Sequence, residues 1–169
     1  MLIFLIGMPG SGKSTIGRLL AEEMTLPFFD TDSIIESIQD MTIGEIIRQQ
    51  GEASFRDMEA SLMRSWKMQH GVVATGGGLP CHNGMMEILQ SLGKTVFLRV
   101  SPEVLAQRLQ GDTDRPLLDE QPILSRQDLL EQMYHRRTPY YEAADIIADA
   151  DASPKDIIAF LVAELRDAT

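Results

Sequence analysis

GMPGSGKST, at residues 7–15, fits the pattern G-x-x-x-x-G-K-[ST] of a phosphate-binding loop. The loop follows the apolar run Leu2 to Ile6, which predicts a buried β-strand. Apolar residues then recur at helical spacing, at Ile16, Leu19, Leu20 and Met24, which predicts a helix with these residues in the core. A strand before the loop and a helix after it are the context in which this motif binds phosphate. The segment therefore predicts a nucleotide-binding α/β protein.

Each residue type in this loop suits a polyphosphate ligand. Glycines let backbone N–H groups turn toward phosphate oxygens, and the following helix adds about half a positive charge at its N-terminus. We expect Lys13 to reach the β and γ phosphates and Ser14 to bind Mg²⁺. The alternative is an ordinary glycine-rich turn between a strand and a helix. The nucleotide contacts are expected from Gly10, Ser11, Gly12, Lys13, Ser14 and Thr15.

Four further apolar runs predict strands, at Pro27 to Phe29, Val72 to Thr75, Thr95 to Val100 and Asp145 to Ala148. Segments of helical period separate them, as in the series Phe55, Met58, Leu62 and Trp66. This alternation is typical of a parallel sheet with crossover helices. It predicts one domain over residues 1–169, with an exposed loop near residues 111–122.

Helix boundaries also have local signals. We expect helices to end at Gly51 and Gly71, because glycine is common just after a helix. Ser101-Pro102 and Ser153-Pro154 each pair a capping hydroxyl with a proline suited to the first helical position. Thr42 with Glu45 predicts a capping box.

Composition excludes several classes of protein. The 15 lysines and arginines against 25 aspartates and glutamates give a formal net charge of -10, which argues against general nucleic-acid binding. A single cysteine, Cys81, excludes an intrachain disulfide framework and fits a reducing compartment. The run Leu2 to Ile6 is too short to cross a bilayer. We therefore expect a cytoplasmic protein with no membrane partner.

Two polar segments follow predicted strands, where open α/β sheets bind their ligands. Asp30-Thr31-Asp32 is expected to be extended, with its carboxylates on one side, so that one serves hydrated Mg²⁺ and the other an acceptor. The alternative is an acidic turn that caps a helix starting near Ser33. Thr75-Gly76-Gly77-Gly78 would bring backbone N–H groups close to a ligand, unless it is only a tight turn.

Together, six segments resemble the shikimate kinase family. They are the phosphate-binding loop, Asp30-Thr31-Asp32, Gly51-Glu52-Ala53-Ser54-Phe55-Arg56, Ala74-Thr75-Gly76-Gly77-Gly78, Asp114-Arg115-Pro116-Leu117-Leu118 and Arg136-Arg137-Thr138-Pro139-Tyr140-Tyr141. The loop alone is generic, whereas the other five segments in this order are specific. The resemblance implies a five-stranded parallel sheet in the order 2-3-1-4-5, as in nucleoside monophosphate kinases, with a substrate-side helical region and a lid.

The resemblance also implies residue roles. Shikimate would be held by Asp32, Arg56, Gly77, Gly78 and Arg137. Lys13, Ser14 and Asp30 match the phosphate and Mg²⁺ positions, and Arg115 matches an arginine of the lid. The adenine would lie near Arg108 and the segment Asp149 to Pro154, where Pro154 or the backbone would make the contact. The catalytic residues are then Lys13, Asp32 and Arg115.

The chemistry of shikimate agrees with those roles. Its carboxylate calls for a guanidinium fork and its hydroxyls for an anionic acceptor, which Arg56, Arg137 and Asp32 would supply. Without the resemblance, Arg56 could be an exposed charge on a helix, and Arg137 could be solvated like Arg136.

The expected reaction is Mg²⁺-dependent transfer of the γ-phosphoryl of ATP to the 3-hydroxyl of shikimate, a step of aromatic amino-acid biosynthesis, by a monomer. One alternative is a related small-molecule kinase such as a gluconate kinase. Another is a nucleotide-binding regulatory module, although the sequence has no Asn-Lys-x-Asp segment for guanine.

Overall fold

The computed structural model describes residues 1–109 and 126–167. Its sheet has five strands, and all the neighbouring strands are parallel. The strands are β1 (Leu2–Ile6), β2 (Phe28–Asp30), β3 (Gly71–Ala74), β4 (Lys94–Arg99) and β5 (Ile146–Asp149). Their order across the sheet is β2-β3-β1-β4-β5, which confirms the predicted topology.

The central strand is β1, which pairs with β3 on one side and β4 on the other. All five of its residues are buried, because helices cover both faces of a parallel sheet. This explains why its sequence, LIFLI, is apolar throughout rather than alternating. The phosphate-binding loop follows at the carboxyl end of β1, next to the ends of β3 and β4.

In the described residues, the α-helices are α1 (Lys13–Met24), α2 (Thr31–Gln39), α3 (Ile43–Gln50), α4 (Glu52–Arg64), α5 (Met85–Leu92), α6 (Pro102–Arg108), α7 (Arg126–Tyr141) and α8 (Pro154–Asp167). Predicted caps are confirmed. Ser101 accepts a hydrogen bond from the N–H of Val104, and Thr42 and Glu45 form the reciprocal capping box. The hydroxyl of Ser153 likewise accepts from the N–H of Asp156.

Three local expectations were wrong. Gly71 begins β3 instead of ending a helix, because α4 already ends at Arg64. Trp66 therefore lies after the helix, where its ring packs edge-on against Phe29. Leu19 is 40% exposed, although it shares the helical spacing of its buried neighbours. Helical periodicity predicts the direction in which a side chain points, but not whether a neighbouring element covers it there.

Helices α2, α3 and α4 form a small second apolar cluster beside the main core. Its buried centre consists of Ile35, Ile46 and Phe55, one from each helix. Gly51, between α3 and α4, has a φ of 86°, and it allows the chain to turn directly from one helix into the next. This cluster corresponds to the helical region expected beside the sheet, and it carries Arg56 on α4.

Candidate active site

The phosphate-binding loop curls into the first turn of α1. Gly12 has a φ of 89°, a left-handed conformation that favours glycine, and α1 begins at the next residue. The ammonium group of Lys13 donates to the carbonyl oxygens of Gly7 and Met8, at 2.9 and 2.8 Å. These bonds hold the side chain over the loop, within the cavity that the loop borders.

Asp30 joins the phosphate-binding loop to α2. Its Oδ2 accepts a hydrogen bond of 2.7 Å from the hydroxyl of Ser14, and its Oδ1 accepts from the N–H groups of Asp32 and Ser33. Asp30 is therefore the N-cap of a helix that begins at Thr31. The expected extended Asp30-Thr31-Asp32 segment was wrong, because Asp32 already lies in the first helical turn. The capping alternative is correct for Asp30.

Asp32 is half-buried, and its Oδ1 is buried without a hydrogen-bond partner. Burial is the main cause that raises the pKa of Asp32, and the charge of Asp30 adds to it, whereas Lys13 and Arg56 act in the opposite direction. The neighbouring Thr31 accepts a hydrogen bond of 2.9 Å from the N–H of Gly76. That bond brings the glycine loop after β3 against the start of α2, so the carboxylate faces the same cavity as the glycines.

Arg56 is only 9% exposed, so the interpretation of a solvated surface charge was wrong. Its guanidinium donates from Nη1 to Glu59 at 2.6 Å and from Nη2 to Glu52 at 2.9 Å. Gly78 lies directly against this group. A Cβ at Gly78 would be 2.5 to 2.7 Å from the guanidinium atoms, so a side chain here would force the guanidinium to move. The two carboxylates and the glycine loop therefore fix one orientation of the fork.

Glu59 is a residue of the site that the sequence analysis missed. It is 1% exposed, and its Oε1 has no hydrogen-bond partner. Burial outweighs the charge of Arg56 and raises the pKa of Glu59 to about 7. Its position three residues after Arg56, one helical turn along α4, is the sequence signal that could have indicated the pair.

A single cavity of about 580 Å³ brings the predicted site residues together. Arg56 on α4 and Arg137 on α7 both line it, whereas Arg136 is exposed. The structure thus distinguishes Arg137, which is half-buried at the cavity, from Arg136. The other predicted residues at this cavity are Gly10, Gly12, Lys13, Ser14, Thr15, Asp30, Asp32, Gly77, Gly78 and Arg108.

A second cavity, of about 300 Å³, adjoins the phosphate-binding loop. Ser11, Arg108 and Pro154 line it, and the guanidinium of Arg108 donates to the carbonyl oxygen of Ala150 at 3.1 Å. The expected adenine position thus forms a recess that shares Arg108 and part of the phosphate-binding loop with the larger cavity. Arg115 and the expected lid at residues 111–122 lie outside the described residues.

Within the described ranges, 1–109 and 126–167, no helix has the length and apolarity needed to cross a membrane. The same residues contain no cluster of three or more His, Cys, Asp or Glu side chains that could hold a metal by themselves. A cation here would need ligands from elsewhere, as Mg²⁺ obtains from substrate phosphates.

The sheet order, the phosphate-binding loop and the adjoining cavity lined by Arg56 and Arg137 define an ATP-dependent kinase of small molecules. A family model described as "Shikimate kinase" matches residues 9–166. The chain belongs to the shikimate kinase family.

Two relatives illustrate this similarity. The chain is 37% identical to a shikimate kinase of Sulfurihydrogenibium sp., with 97% of each chain covered. The structure of a shikimate kinase from Acinetobacter baumannii in complex with shikimate superposes with a TM-score of 0.90 at 31% identity. The alignment covers 99% of this chain and 94% of that one.

A gluconokinase from Sinorhizobium meliloti has a TM-score of 0.59 at 20% identity, with 99% of this chain and 96% of that chain covered. This similarity shows a shared fold alone. The gluconate kinase alternative and the regulatory-module alternative are therefore both less favoured than the shikimate kinase family.

Proposed function

We propose that this protein is a shikimate kinase that converts ATP and shikimate into ADP and shikimate 3-phosphate. The observation that carries the proposal is the convergence of Arg56 and Arg137, from distant helices, on the cavity that also contains Lys13 and Asp32. Two guanidinium groups suit a carboxylate, and the carboxylate of Asp32 suits a hydroxyl. The lysine lies on the side where the nucleotide phosphates would bind.

In this proposal, Arg56 and Arg137 bind the carboxylate of shikimate, and the N–H groups of Gly77 and Gly78 face the ring hydroxyls. The bonds from Arg56 to Glu52 and Glu59 support this role, because they orient the fork before the substrate arrives. A preoriented fork loses less conformational entropy on binding than a free arginine side chain.

The transfer step forms a bond between the 3-hydroxyl oxygen and the γ-phosphorus. It breaks the bond from that phosphorus to the β,γ-bridging oxygen, which leaves with ADP. The hydroxyl proton passes to Asp32, which has a buried oxygen without a partner. Lys13 and Arg115 stabilise the charge on the phosphoryl oxygens, the main requirement of a loose transition state.

Mg²⁺ fits the pair formed by Ser14 and Asp30. Their oxygens lie 2.7 Å apart at the end of the phosphate-binding loop, and hard oxygen donors are the ligands that this ion prefers. Ser14 and Asp30 would hold the ion. The bound ion would supply charge neutralisation and orientation of the phosphates.

We further propose that the adenine lies in the smaller cavity, against Arg108 and Pro154, a position supported by its closeness to the phosphate-binding loop. The lid at residues 111–122 would carry Arg115 into the site and exclude water before transfer. We propose a single domain that acts as a cytoplasmic monomer in aromatic amino-acid biosynthesis. Size-exclusion chromatography with light scattering tests the monomer.

The experiment is a coupled assay of ADP release from ATP and Mg²⁺ in the presence of shikimate, gluconate or no acceptor. Phosphorus NMR identifies the product. Shikimate should raise the rate at least 100-fold over the sample without acceptor, because water is excluded from the closed site. Equal rates of ADP release in the three samples would refute the proposal. Stimulation by gluconate alone would indicate a gluconate kinase.

A further inference from the structure

Tyr141 is a buried tyrosine at the end of α7 that connects three parts of the site. Its side chain is completely buried, with an exposed fraction of 0%. Its hydroxyl donates a hydrogen bond of 2.6 Å to the carbonyl oxygen of Gly77. The same hydroxyl lies 4.0 Å from the sulfur of Met8, within the phosphate-binding loop.

The ring of Tyr141 has little freedom to move. It packs against the ring of Phe97 in β4, with 5.1 Å between ring centroids. Burial raises the pKa of Tyr141, so the hydroxyl remains a protonated donor at neutral pH. The hydroxyl is therefore held in one position beside β4, and its hydrogen bond holds the Gly77 carbonyl in place.

Gly77 lies between the two halves of the proposed reaction. A Cβ at this residue would lie 3.0 Å from the ring of Pro9, so its backbone already packs against the phosphate-binding loop. Gly78, the next residue, packs against the guanidinium of Arg56. In the proposed reaction, the N–H groups of Gly77 and Gly78 face the hydroxyls of shikimate. A rotation of the Gly77 peptide would therefore change the position of shikimate relative to the nucleotide phosphates.

Arg137 precedes Tyr141 by four residues on α7, so the two side chains share one face of the helix. The charge of the Arg137 guanidinium acts to lower the pKa of Tyr141, against the larger effect of burial. Tyr141 thus fixes α7, the helix that also carries Arg137, to the glycine loop.

We propose that Tyr141 is a positioning residue for the phosphoryl acceptor, an inference that rests on the proposed function. Its hydroxyl sets the orientation of the Gly77 peptide and ties that orientation to Arg137 and to the phosphate-binding loop. Tyr141 does not touch the reacting atoms. It determines where the acceptor hydroxyl lies relative to the γ-phosphate.

The test compares Tyr141→Phe with Tyr140→Phe, since both changes remove one hydroxyl from adjacent tyrosines. Tyr140 is 48% exposed and serves as the matched control. Tyr141→Phe should lower kcat/KM for shikimate about tenfold, mainly through a higher KM for shikimate, because one buried hydrogen bond is lost. The KM for ATP should stay within twofold of wild type. Tyr140→Phe should match wild type throughout.

A merely structural role for Tyr141 would lower the melting temperature and the fraction of active enzyme without raising the KM for shikimate. An unchanged KM for shikimate, or an equal rise in the KM for ATP, therefore overturns the inference. Failure of the proposed function is separate, because the wild-type protein would then show no shikimate-dependent ADP release.

A measurement on the wild-type protein covers the case in which Tyr141→Phe does not fold. The hydroxyl proton of Tyr141 should be protected from exchange with water and visible by NMR, since it is buried and hydrogen-bonded. Adding shikimate should shift its resonance and slow its exchange. A resonance that shikimate leaves unchanged would overturn the inference.

Discussion

Replacing Gly78 with alanine tests whether the Arg56 guanidinium must lie against the glycine loop. Gly78 has φ and ψ of −84° and −15°, a conformation that alanine adopts without backbone strain. The added Cβ, however, would lie 2.5 Å from Nη2, 2.6 Å from Cζ and 2.7 Å from Nη1 of Arg56. The nearest atoms that the substitution would disturb are therefore those of the Arg56 guanidinium.

Ordinary van der Waals contact begins near 3.4 Å, so Cζ must retreat by about 0.8 Å from its distance of 2.6 Å. Arg56 cannot retreat freely, because Glu59 and Glu52 hold it at 2.6 and 2.9 Å. A misplacement of about 1 Å in a positioning group can cost about 100-fold in rate. We expect kcat/KM for shikimate to fall about 100-fold, which corresponds to about 2.7 kcal/mol.

Steady-state kinetics with varied shikimate and with varied ATP measures this loss, and the KM for ATP should change less than threefold. A double-mutant cycle with Arg56→Ala provides the control, because the alanine methyl group should have no further effect once the guanidinium is gone. The contact between Gly78 and Arg56 is unimportant for activity if Gly78→Ala retains at least a third of wild-type kcat/KM. The same holds if Gly78→Ala lowers kcat/KM by the same factor in the Arg56→Ala background.

Other changes test the charged residues separately. Lys13→Met should lower kcat at least 100-fold, and far more than it raises the KM for shikimate, because the charge acts in the transition state; unchanged turnover would remove the lysine from the mechanism. Arg115→Ala should likewise lower kcat more than it raises KM, in the same assay. Arg56→Lys should raise the KM for shikimate about tenfold with the fold intact, since an ammonium cannot form paired contacts; a wild-type KM would place the carboxylate elsewhere. Burial raises the pKa of Glu59 from 4.5 to about 7, so the native carboxyl binds a proton that the unfolded chain releases. The free energy of unfolding should therefore fall as pH rises from about 4.5 to 7, and urea titrations should show a flatter profile for Glu59→Gln; a wild-type slope in that variant would contradict this assignment.

Local sequence signals predicted most of the fold. The continuous apolar run of β1 indicated a strand covered on both faces, and β1 has the predicted bounds. Both ends of each of the other four strands lie one residue from the predicted ends. The capping residues Thr42, Ser101 and Ser153 act as predicted, because a cap depends on only three or four consecutive residues.

The sequence also indicated which residues line the site, but not how their side chains are held. Glu59 is an example. Its helical spacing from Arg56 is visible in the sequence, but its burial depends on the packing of α2, α4 and the glycine loop against one another. Asp30 is extended at the end of β2, as expected, whereas Asp32 is helical, because α2 begins at Thr31 with Asp30 as its N-cap. The packing of Glu59 against Gly76 joins elements that are separated along the chain.

The sequence by itself determined the phosphate-binding loop, the alternation of strands and helices and the family, since each depends on local spacing or on ordered motifs. Only the tertiary structure decided that Arg56 and Arg137, on different helices, face one cavity. It also decided that the Tyr141 hydroxyl contacts both Gly77 and the phosphate-binding loop. The physical reason is that periodicity encodes the direction in which a side chain points within its own element. The partner it meets there is set by how separate elements pack against a common sheet.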